Sequence, residues 1–199
     1  IAKGLQEIGY DGVVAVDYKE ALLMADNGIK LGNVGHLVQI PNAALKRIIT
    51  LKPEVITVYT HEKIREINDT AGKLGLVQPL LIRISDPDSL MYSGQEAGFA
   101  SDRLKDLLYE IKEINNVTFG GITVFPAVLF DGASGTIRPT SNIKCLERAI
   151  KILDELGYEG YMVNVPSATC CASIELLHDM KGNCGEPGHG LTGTTPLHA

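Results

Sequence analysis

The stretch PEVITVYTHEKIREINDTAGKLG, residues 53–75, contains the pattern that decides the fold. Its first part, residues 53–60, is a short, largely apolar run rich in β-branched residues, which is typical of a buried strand. Its second part has apolar residues at helical spacing and ends at Gly75, which predicts an amphipathic helix with a glycine at its C-terminus. A buried strand followed directly by such a helix is one β-α unit, the building block of parallel sheets.

The same unit recurs along the 199-residue chain. Further strands are predicted at 11–18, 35–40, 79–85, 117–125 and 160–166, most of them followed by a helical pattern. Asn42 and Ser101 are the predicted N-caps of two helices. The count is about seven β-α units, one short of an eight-stranded barrel. We therefore predict an α/β fold, a parallel (β/α)8 TIM-type barrel without its first strand, and a single domain over residues 1–199.

The composition excludes several classes of function. The chain is 45% apolar and 21% charged, which is ordinary for a soluble globular protein. Its net charge of −6 argues against nucleic acid or an anionic membrane as the main partner. No run of about 20 apolar residues is present, and no signal peptide is visible. The four cysteines, Cys145, Cys170, Cys171 and Cys184, fit neither a disulfide framework nor a zinc spacing. Reduced thiols, a cytoplasmic location and no metal site are therefore expected.

Polar residues, together with Phe125, stand where the predicted strands end, which is where β/α barrels carry their chemistry. These residues are Asp17, Tyr18, His36, Gln39, Tyr59, His61, Arg83, Ser85, Asp86, Phe125, Asn164 and Ser167. Several have a purely structural alternative: Asp17 as a helix cap, His36 as a core histidine and His61 as a surface residue. Arg83 is flanked by aliphatic residues, so its buried guanidinium would need an acceptor partner. Arg83 and His36 are taken as catalytic candidates, and Asn164 as a cofactor-binding candidate.

The C-terminal stretch GNCGEPGHGLTGTTPLHA, residues 182–199, combines glycines and threonines with one carboxylate. Glycines allow close approach of the backbone, and successive N–H groups with hydroxyls can surround a phosphate. Glu186 would then face another part of the ligand. Ser167 and residues 188–195 also follow the last predicted strands, a common place for phosphate in barrels. A flexible tail is the alternative, and composition alone does not separate the two.

Several motifs resemble one family of enzymes. GEPGH (185–189) resembles the E-P-G-R element of the fold-type III pyridoxal-phosphate decarboxylases, the ornithine and diaminopimelate decarboxylase group. LLIRISD (80–86) resembles a strand of the same enzymes, and NVPSA (164–168) resembles the phosphate-binding serine element of alanine racemases. The segments AVDYKEA, PSATCCAS and GEPGHGLTGTTPLHA are most similar to the YhfX-like branch of the alanine racemase N-terminal domain family. The resemblance covers essentially the whole chain.

The resemblance implies an amino-acid racemase or decarboxylase that uses pyridoxal 5'-phosphate and acts through a quinonoid intermediate. Glu186 would face the pyridine nitrogen as a catalytic residue, Arg83 would lie near the phenolic oxygen, and Phe125 would lie against the ring. The implied phosphate-binding residues are Ser167, Gly188, His189, Gly190, Thr192, Gly193 and Thr194. The expected partner is a small amino-acid substrate, and the full-length protein is expected to be a homodimer.

The sequence also departs from the family pattern. Phe125 stands where the family often has a histidine, and His189 replaces the arginine of E-P-G-R. No lysine stands at the end of a predicted strand in the context of the family's Schiff-base lysine. We therefore expect a fragment that lacks the first strand, with that lysine, and the C-terminal β-domain, and that is inactive alone. A non-catalytic pyridoxal-phosphate-binding protein and a phosphate-binding barrel enzyme without this cofactor remain alternatives, and the substrate stays open.

Overall fold

A computed structural model describes residues 1–193 of the chain. The helices are α1 (Ala2–Glu7), α2 (Tyr18–Asp26), α3 (Asn42–Thr50), α4 (His61–Leu74), α5 (Leu104–Lys112), α6 (Asn142–Glu155), α7 (Ile174–Asp179) and α8 (His189–Thr192). A 3-10 turn at Ser101–Arg103 precedes α5. The strands are β1 (Val13–Ala15), β2 (Leu31–Val34), β3 (Val55–Val58), β4 (Gln78–Arg83), β5 (Val117–Thr123), β6 (Val128–Asp131), β7 (Thr136–Pro139) and β8 (Met162–Asn164).

Six of these strands form one sheet in the order β1-β2-β3-β4-β5-β8. The pairs β1/β2, β2/β3, β3/β4 and β5/β8 are parallel, as expected for strands joined by helical crossovers. Strands β6 and β7 form a separate antiparallel hairpin, with Val128 opposite Pro139. The predicted parallel α/β arrangement is confirmed. The hairpin was not predicted, because residues 126–141 read as a loop.

The chain divides into two compact units. The first contains residues 1–82 and 106–120. Its β3 is buried along its whole length, as the apolar run at 55–58 predicted. The buried apolar residues of α3 and α4 recur at helical spacing, so each helix turns one apolar face to the interior and a charged face to solvent. Helix α4 ends at Gly75 in the left-handed conformation, as its sequence predicted.

The second unit contains residues 83–105 and the chain from Gly121 onward. Its main helix is α6, in which seven residues are buried: Asn142, Ile143, Cys145, Leu146, Ala149, Ile150 and Leu153. The last strand, β8, is extended by a parallel bridge between Asn164 and Cys184. This bridge brings the glycine-rich segment beside the end of β8.

The structure corrects three local predictions. The strand predicted at 35–40 lies earlier, at Leu31–Val34, because Gly35 adopts a φ of 82° and ends it. Asn42 does not cap α3: its amide donates to Glu66 at 2.6 Å instead. Ser101 does not cap either, since its hydroxyl donates to Asp86 at 2.8 Å. Asp17 does cap α2, accepting from the backbone of Lys19 and Glu20, so its structural alternative is confirmed.

Within residues 1–193, no helix is both long enough and apolar enough to cross a lipid bilayer.

The close approach of β5 to β8 generates a stability prediction. A Cβ atom at Gly121 would lie 2.2 Å from the carbonyl oxygen of Met162, whereas a Cβ at Gly132 in the hairpin would meet nothing within 4 Å. Gly121→Ala should therefore lower the free energy of unfolding by about 1–3 kcal/mol, the usual cost of overpacking. Gly132→Ala should change it by less than about 0.5 kcal/mol. Urea denaturation measures both, and equal effects of the two substitutions would contradict the close packing.

Candidate functional site

Three buried polar residues of the second unit are the last residues of their strands. Arg83 is the last residue of β4, Thr123 of β5 and Asn164 of β8, and each is at most 1% exposed. Thr123 and Asn164 are register partners, and the amide of Asn164 donates to the Thr123 hydroxyl at 3.2 Å. The sequence predicted Arg83 and Asn164. It did not indicate Thr123, because a threonine within the run GGIT is an ordinary strand residue.

Glu186 is held beside these strand ends by Asn164. The Asn164 amide donates to the Glu186 carboxylate at 2.7 Å, and the Glu186 backbone N–H donates to the Thr169 hydroxyl at 3.3 Å. Hydrogen bonds to an ionised carboxylate are stronger than neutral ones, so the amide fixes the orientation of Glu186. The other amide atom of Asn164, Oδ1, is buried and accepts no hydrogen bond from the described residues. An acceptor thus remains available beside an oriented carboxylate.

The glycine-rich segment packs tightly against Thr169. A Cβ at Gly185 would lie 2.9 Å from the Thr169 methyl group, and one at Gly190 would lie 2.8 Å from the Thr169 carbonyl oxygen. A Cβ at Gly188 would meet nothing within 4 Å. Glycine is therefore sterically required at two positions of this run, which is not expected of an unstructured tail.

The rest of the predicted phosphate-binding run is partly accounted for by local structure. His189 and Thr192 are the first and last residues of the short helix α8, and the Thr192 hydroxyl donates to the Gly188 and His189 carbonyl oxygens at 3.4 and 3.3 Å. Gly193 follows in the left-handed conformation. Thr194 lies outside the described residues.

Ser167 makes its hydrogen bonds to the hairpin. Its hydroxyl donates to the Val128 carbonyl at 2.7 Å and accepts from the Val128 N–H at 3.3 Å. Both Ser167 and Ala168 have a positive φ, 87° and 43°, which is uncommon for residues other than glycine. The hydroxyl of Ser167 is therefore bonded to the base of the hairpin and not to the glycine-rich segment.

Phe125 lies beside Arg83 at the end of β5. The Arg83 guanidinium carbon lies 5.9 Å from the centroid of the Phe125 ring, close enough for a cation–π interaction. Phe125 also contacts Tyr92, and the centroids of these two rings are 5.6 Å apart. The Phe125–Pro126 peptide bond is cis. The structure thus brings two predicted residues, Arg83 and Phe125, together with an aromatic residue that the sequence did not single out.

In the first unit, His36 lies just after β2 and is 4% exposed. The Tyr59 hydroxyl donates to the His36 carbonyl oxygen. Nearby in the chain, Asn33 accepts a hydrogen bond of 2.7 Å from the Thr57 hydroxyl, and the amide of Gln39 donates to the Thr57 carbonyl at 2.8 Å. The sequence missed both residues: the strand that contains Asn33 was placed too late, and Thr57 lies within a largely apolar strand run. The first unit thus has its own buried polar group at the ends of β2 and β3.

His61 begins α4, and its Nδ1 lies 2.7 Å from the Glu110 carboxylate at the surface of the first unit. This placement agrees with its reading as a surface residue. Among residues 1–193, no group of histidine, cysteine, aspartate and glutamate side chains could hold a metal ion.

Asp86 connects the segment after β4 to α6. Its carboxylate accepts from the Ser101 N–H at 2.7 Å, from the Ser101 hydroxyl and from the Arg148 guanidinium, with Arg148 Nε at 3.0 Å. Burial by itself would raise the pKa of Asp86. The hydrogen bonds from Ser101 and Arg148 outweigh that effect and hold the pKa below its usual value.

A model of the family described as "Alanine racemase, N-terminal domain" matches residues 1–196 of this chain. The chain is also 40% identical, over 198 residues, to protein YhfX of Escherichia coli (strain K12). The match covers 100% of this chain and 51% of YhfX, so the chain spans about half the length of this relative. The chain belongs to the alanine racemase N-terminal domain family.

Solved structures agree with this family. An alanine racemase from Clostridium difficile 630 superposes with a TM-score of 0.71 at 21% identity, over 98% of this chain and 48% of that one. A diaminopimelate decarboxylase from M. jannaschii, in complex with L-lysine, gives a TM-score of 0.65 at 16% identity, over 89% of this chain and 48% of that one. These likenesses show the fold alone, which is the α/β barrel fold of the alanine racemase N-terminal domain. The predicted fold class and family are confirmed.

The contacts of Asp86 generate a pH prediction. Because the folded-state pKa lies below the unfolded value of about 3.9, ionised Asp86 stabilises the fold above that pH. This contribution is lost as the pH falls through the folded-state pKa. Asp86→Asn should lower the free energy of unfolding by about 2 kcal/mol at pH 7. The difference in the free energy of unfolding between Asp86→Asn and the wild type should become smaller below about pH 4.

The control is Asp88→Asn, since Asp88 also lies near Arg148, at 3.6 Å, but its side chain is 60% exposed. This substitution should have little effect at either pH, because exposed ion pairs contribute little. Denaturant unfolding at pH 7 and pH 3 makes the comparison. A loss at Asp86→Asn that is as large at pH 3 as at pH 7 would show that its charge does not stabilise the fold.

Proposed function

We propose that this chain is the pyridoxal-phosphate-binding domain of an amino-acid racemase or decarboxylase. The observation that carries the proposal is the pair formed by Asn164 and Glu186, in which a buried amide orients a carboxylate at the end of β8. Family membership makes pyridoxal 5'-phosphate the cofactor to test. The proposal covers residues 1–199 as one barrel domain, which spans about half the length of the relative YhfX.

The residues of the second unit fit this cofactor. The glycine-rich segment brings bare backbone against Thr169, where Gly185 and Gly190 leave no room for a Cβ. Such backbone is suited to a phosphate group, together with Gly188, His189 and Thr192. The buried Oδ1 of Asn164 and the carboxylate of Glu186 supply acceptors for a cationic N–H group. The remaining members of this proposed set are Ser167, Gly193 and Thr194.

Each side chain has a distinct role in this proposal. Bound pyridoxal phosphate supplies a ring that takes up the electron pair released at the substrate α-carbon. The Glu186 carboxylate holds a proton at the pyridine nitrogen by opposite-charge stabilisation, and Asn164 keeps the carboxylate in place. Arg83 provides a buried positive charge for the phenolic oxygen, and Phe125 packs against the ring face. His36 of the first unit stays a separate, sequence-based candidate for proton transfer.

The lysine that would tether the cofactor is not assigned within residues 1–199, which match about half the length of YhfX. A homodimer completed by a C-terminal domain, an amino-acid substrate and a cytoplasmic location belong to the same proposal. A non-catalytic pyridoxal-phosphate-binding protein remains the second candidate, since the same residues would serve it.

The role of Glu186 is tested by Glu186→Gln in the full-length protein. Glutamine keeps the size of the side chain but removes the charge, so turnover of the accepted amino acid should fall by about 10²-fold or more. The absorption spectrum of the bound cofactor should change at the same time. The control is Glu175→Gln on the exposed side of α7, which should leave both unchanged. Unchanged turnover and an unchanged spectrum in Glu186→Gln would contradict the assignment of Glu186 to the pyridine nitrogen.

The role of the glycine-rich segment is tested by two glycine-to-alanine substitutions. Gly190→Ala forces a Cβ to within 2.8 Å of the Thr169 carbonyl, whereas Gly132→Ala, outside the proposed phosphate-binding set, meets nothing within 4 Å. Displacement of the segment should weaken pyridoxal phosphate binding by about tenfold in Gly190→Ala, the loss of roughly one hydrogen bond. Gly132→Ala should bind nearly as the wild type does. Calorimetric titration of the full-length variants measures the two constants, and equal affinities would place the phosphate elsewhere.

A further inference from the structure

The long segment between β4 and the 3-10 turn, residues 86–100, has defined anchors at both ends. It contains neither helix nor strand, apart from a single bridge between Phe99 and Ile84. At its start, Asp86 is bonded to Ser101. At its end, the Phe99 N–H donates to the Arg83 carbonyl at 2.8 Å, and its carbonyl accepts from Ser85 at 2.9 Å. Ordered loops of this length usually have a function, and this one begins and ends beside Arg83.

The middle of this loop is held by the side chain of Asn142. Asn142 is 2% exposed, at the first position of α6. Its Oδ1 accepts from the Leu90 N–H at 2.7 Å, and its Nδ2 donates to the Leu90 carbonyl and to the Pro126 carbonyl, both at 2.9 Å. One buried amide therefore ties the loop to the residue that follows Phe125. Asn142 was not indicated by the sequence, where it reads only as the residue before a helix.

The anchor at Leu90 places Tyr92 over Phe125. The two rings are 5.6 Å apart at an interplanar angle of 58°, a favourable aromatic arrangement. Phe125 in turn contacts the guanidinium of Arg83. The three side chains form a row that runs from Arg83, which is 1% exposed, to Tyr92, which is 42% exposed. Tyr92 is thus the solvent-side end of a row whose inner end is a proposed cofactor residue.

The same loop carries an unused acceptor. Oε1 of Gln95 is buried and accepts no hydrogen bond from the described residues. The Gln95 backbone N–H donates to the Tyr92 carbonyl at 3.0 Å, so the two residues belong to one turn. Buried acceptors are normally satisfied, which makes a donor supplied by a ligand a reasonable partner for Gln95.

We propose that residues 86–100 form the wall that faces the substrate's side chain, with Tyr92 and Gln95 as specificity-determining residues and Asn142 as the residue that positions them. This inference rests on the proposed function and adds a substrate class to it. The buried acceptor of Gln95 and the aromatic ring and hydroxyl of Tyr92, which belong to one turn, select an amino acid whose side chain ends in a hydrogen-bond donor. Amino acids with an apolar side chain of the same size leave the acceptor unmet and bind less well.

Stable conjugates of the cofactor test the substrate class in the full-length protein. Phosphopyridoxyl-serine is compared with phosphopyridoxyl-alanine, and phosphopyridoxyl-lysine with phosphopyridoxyl-norleucine, by calorimetric titration. The wild type should bind at least one polar conjugate about tenfold more tightly than its apolar match, the effect of one hydrogen bond. Gln95→Leu should abolish this ratio, and Tyr92→Phe should reduce it. Affinity for pyridoxal phosphate itself should stay unchanged in both variants.

The positioning role of Asn142 is tested separately. Asn142→Asp retains the acceptor for Leu90 and removes both donated bonds, so amide hydrogen exchange across residues 86–100 should accelerate by about tenfold. The same variant should also reduce the ratio of the affinities for polar and apolar conjugates. A purely structural role of Asn142 would leave this affinity ratio unchanged. The matched control is Ser141→Ala, which removes only the 3.2 Å contact to the Leu90 N–H and should change neither measurement.

The outcomes separate this inference from the function on which it rests. A wild type that binds neither pyridoxal phosphate nor any conjugate contradicts the proposed function and, with it, the substrate class. Binding of pyridoxal phosphate without preference for either polar conjugate overturns the substrate class alone. If the preference for polar over apolar conjugates persists in both Gln95→Leu and Tyr92→Phe, these two residues do not determine specificity. Unchanged exchange in Asn142→Asp overturns the positioning role.

Discussion

The hydrogen bonds of one amide, that of Asn164, connect the parts of the second unit on which the candidate site depends. Its Nδ2 donates to Thr123 on the neighbouring strand and to the carboxylate of Glu186. Its backbone pairs with Cys184, which brings the last segment of the chain beside β8. A smaller or apolar residue here would leave Glu186 without its orienting donor and would bury the Thr123 hydroxyl without this partner. Strand pairing and site chemistry are thus constrained at a single position.

A second buried amide, Asn142, has a comparable role next to Phe125, where it donates to the carbonyl of Pro126. Asn164 fixes a carboxylate, whereas Asn142 fixes the backbone of a loop. Neither residue carries a charge, and the side-chain contacts of Asn142 are made to neutral backbone groups only. Asp86 performs the charged part of the anchoring, through Ser101 and Arg148. The wall next to Arg83 therefore combines neutral and charged anchors.

The sequence predicted the repeated β-α units well, because apolar runs such as Val55–Val58 and amphipathic helices such as His61–Leu74 have strong periodicities. It misplaced β2, where a strand of mixed composition ends at Gly35, and it missed the hairpin, whose strands are short and largely exposed. Motif resemblance located Glu186 through GEPGH. Asn142 carries no such signal, since its role depends on contacts with Leu90 and Pro126 that lie far away in the sequence.

The hydroxyl of Ser167 has one proton, and the Val128 carbonyl at the base of the hairpin accepts it. Any anion that takes this proton must displace that carbonyl, so anion and hairpin compete for a single donor. The free energy of binding such an anion is then less favourable by the free energy of releasing Val128. Occupancy of the site becomes thermodynamically linked to the order of residues 128–139. Small anions make few other contacts that could offset this cost. A serine in this arrangement thus favours the binding of ligands whose other contacts offset the free energy of releasing Val128.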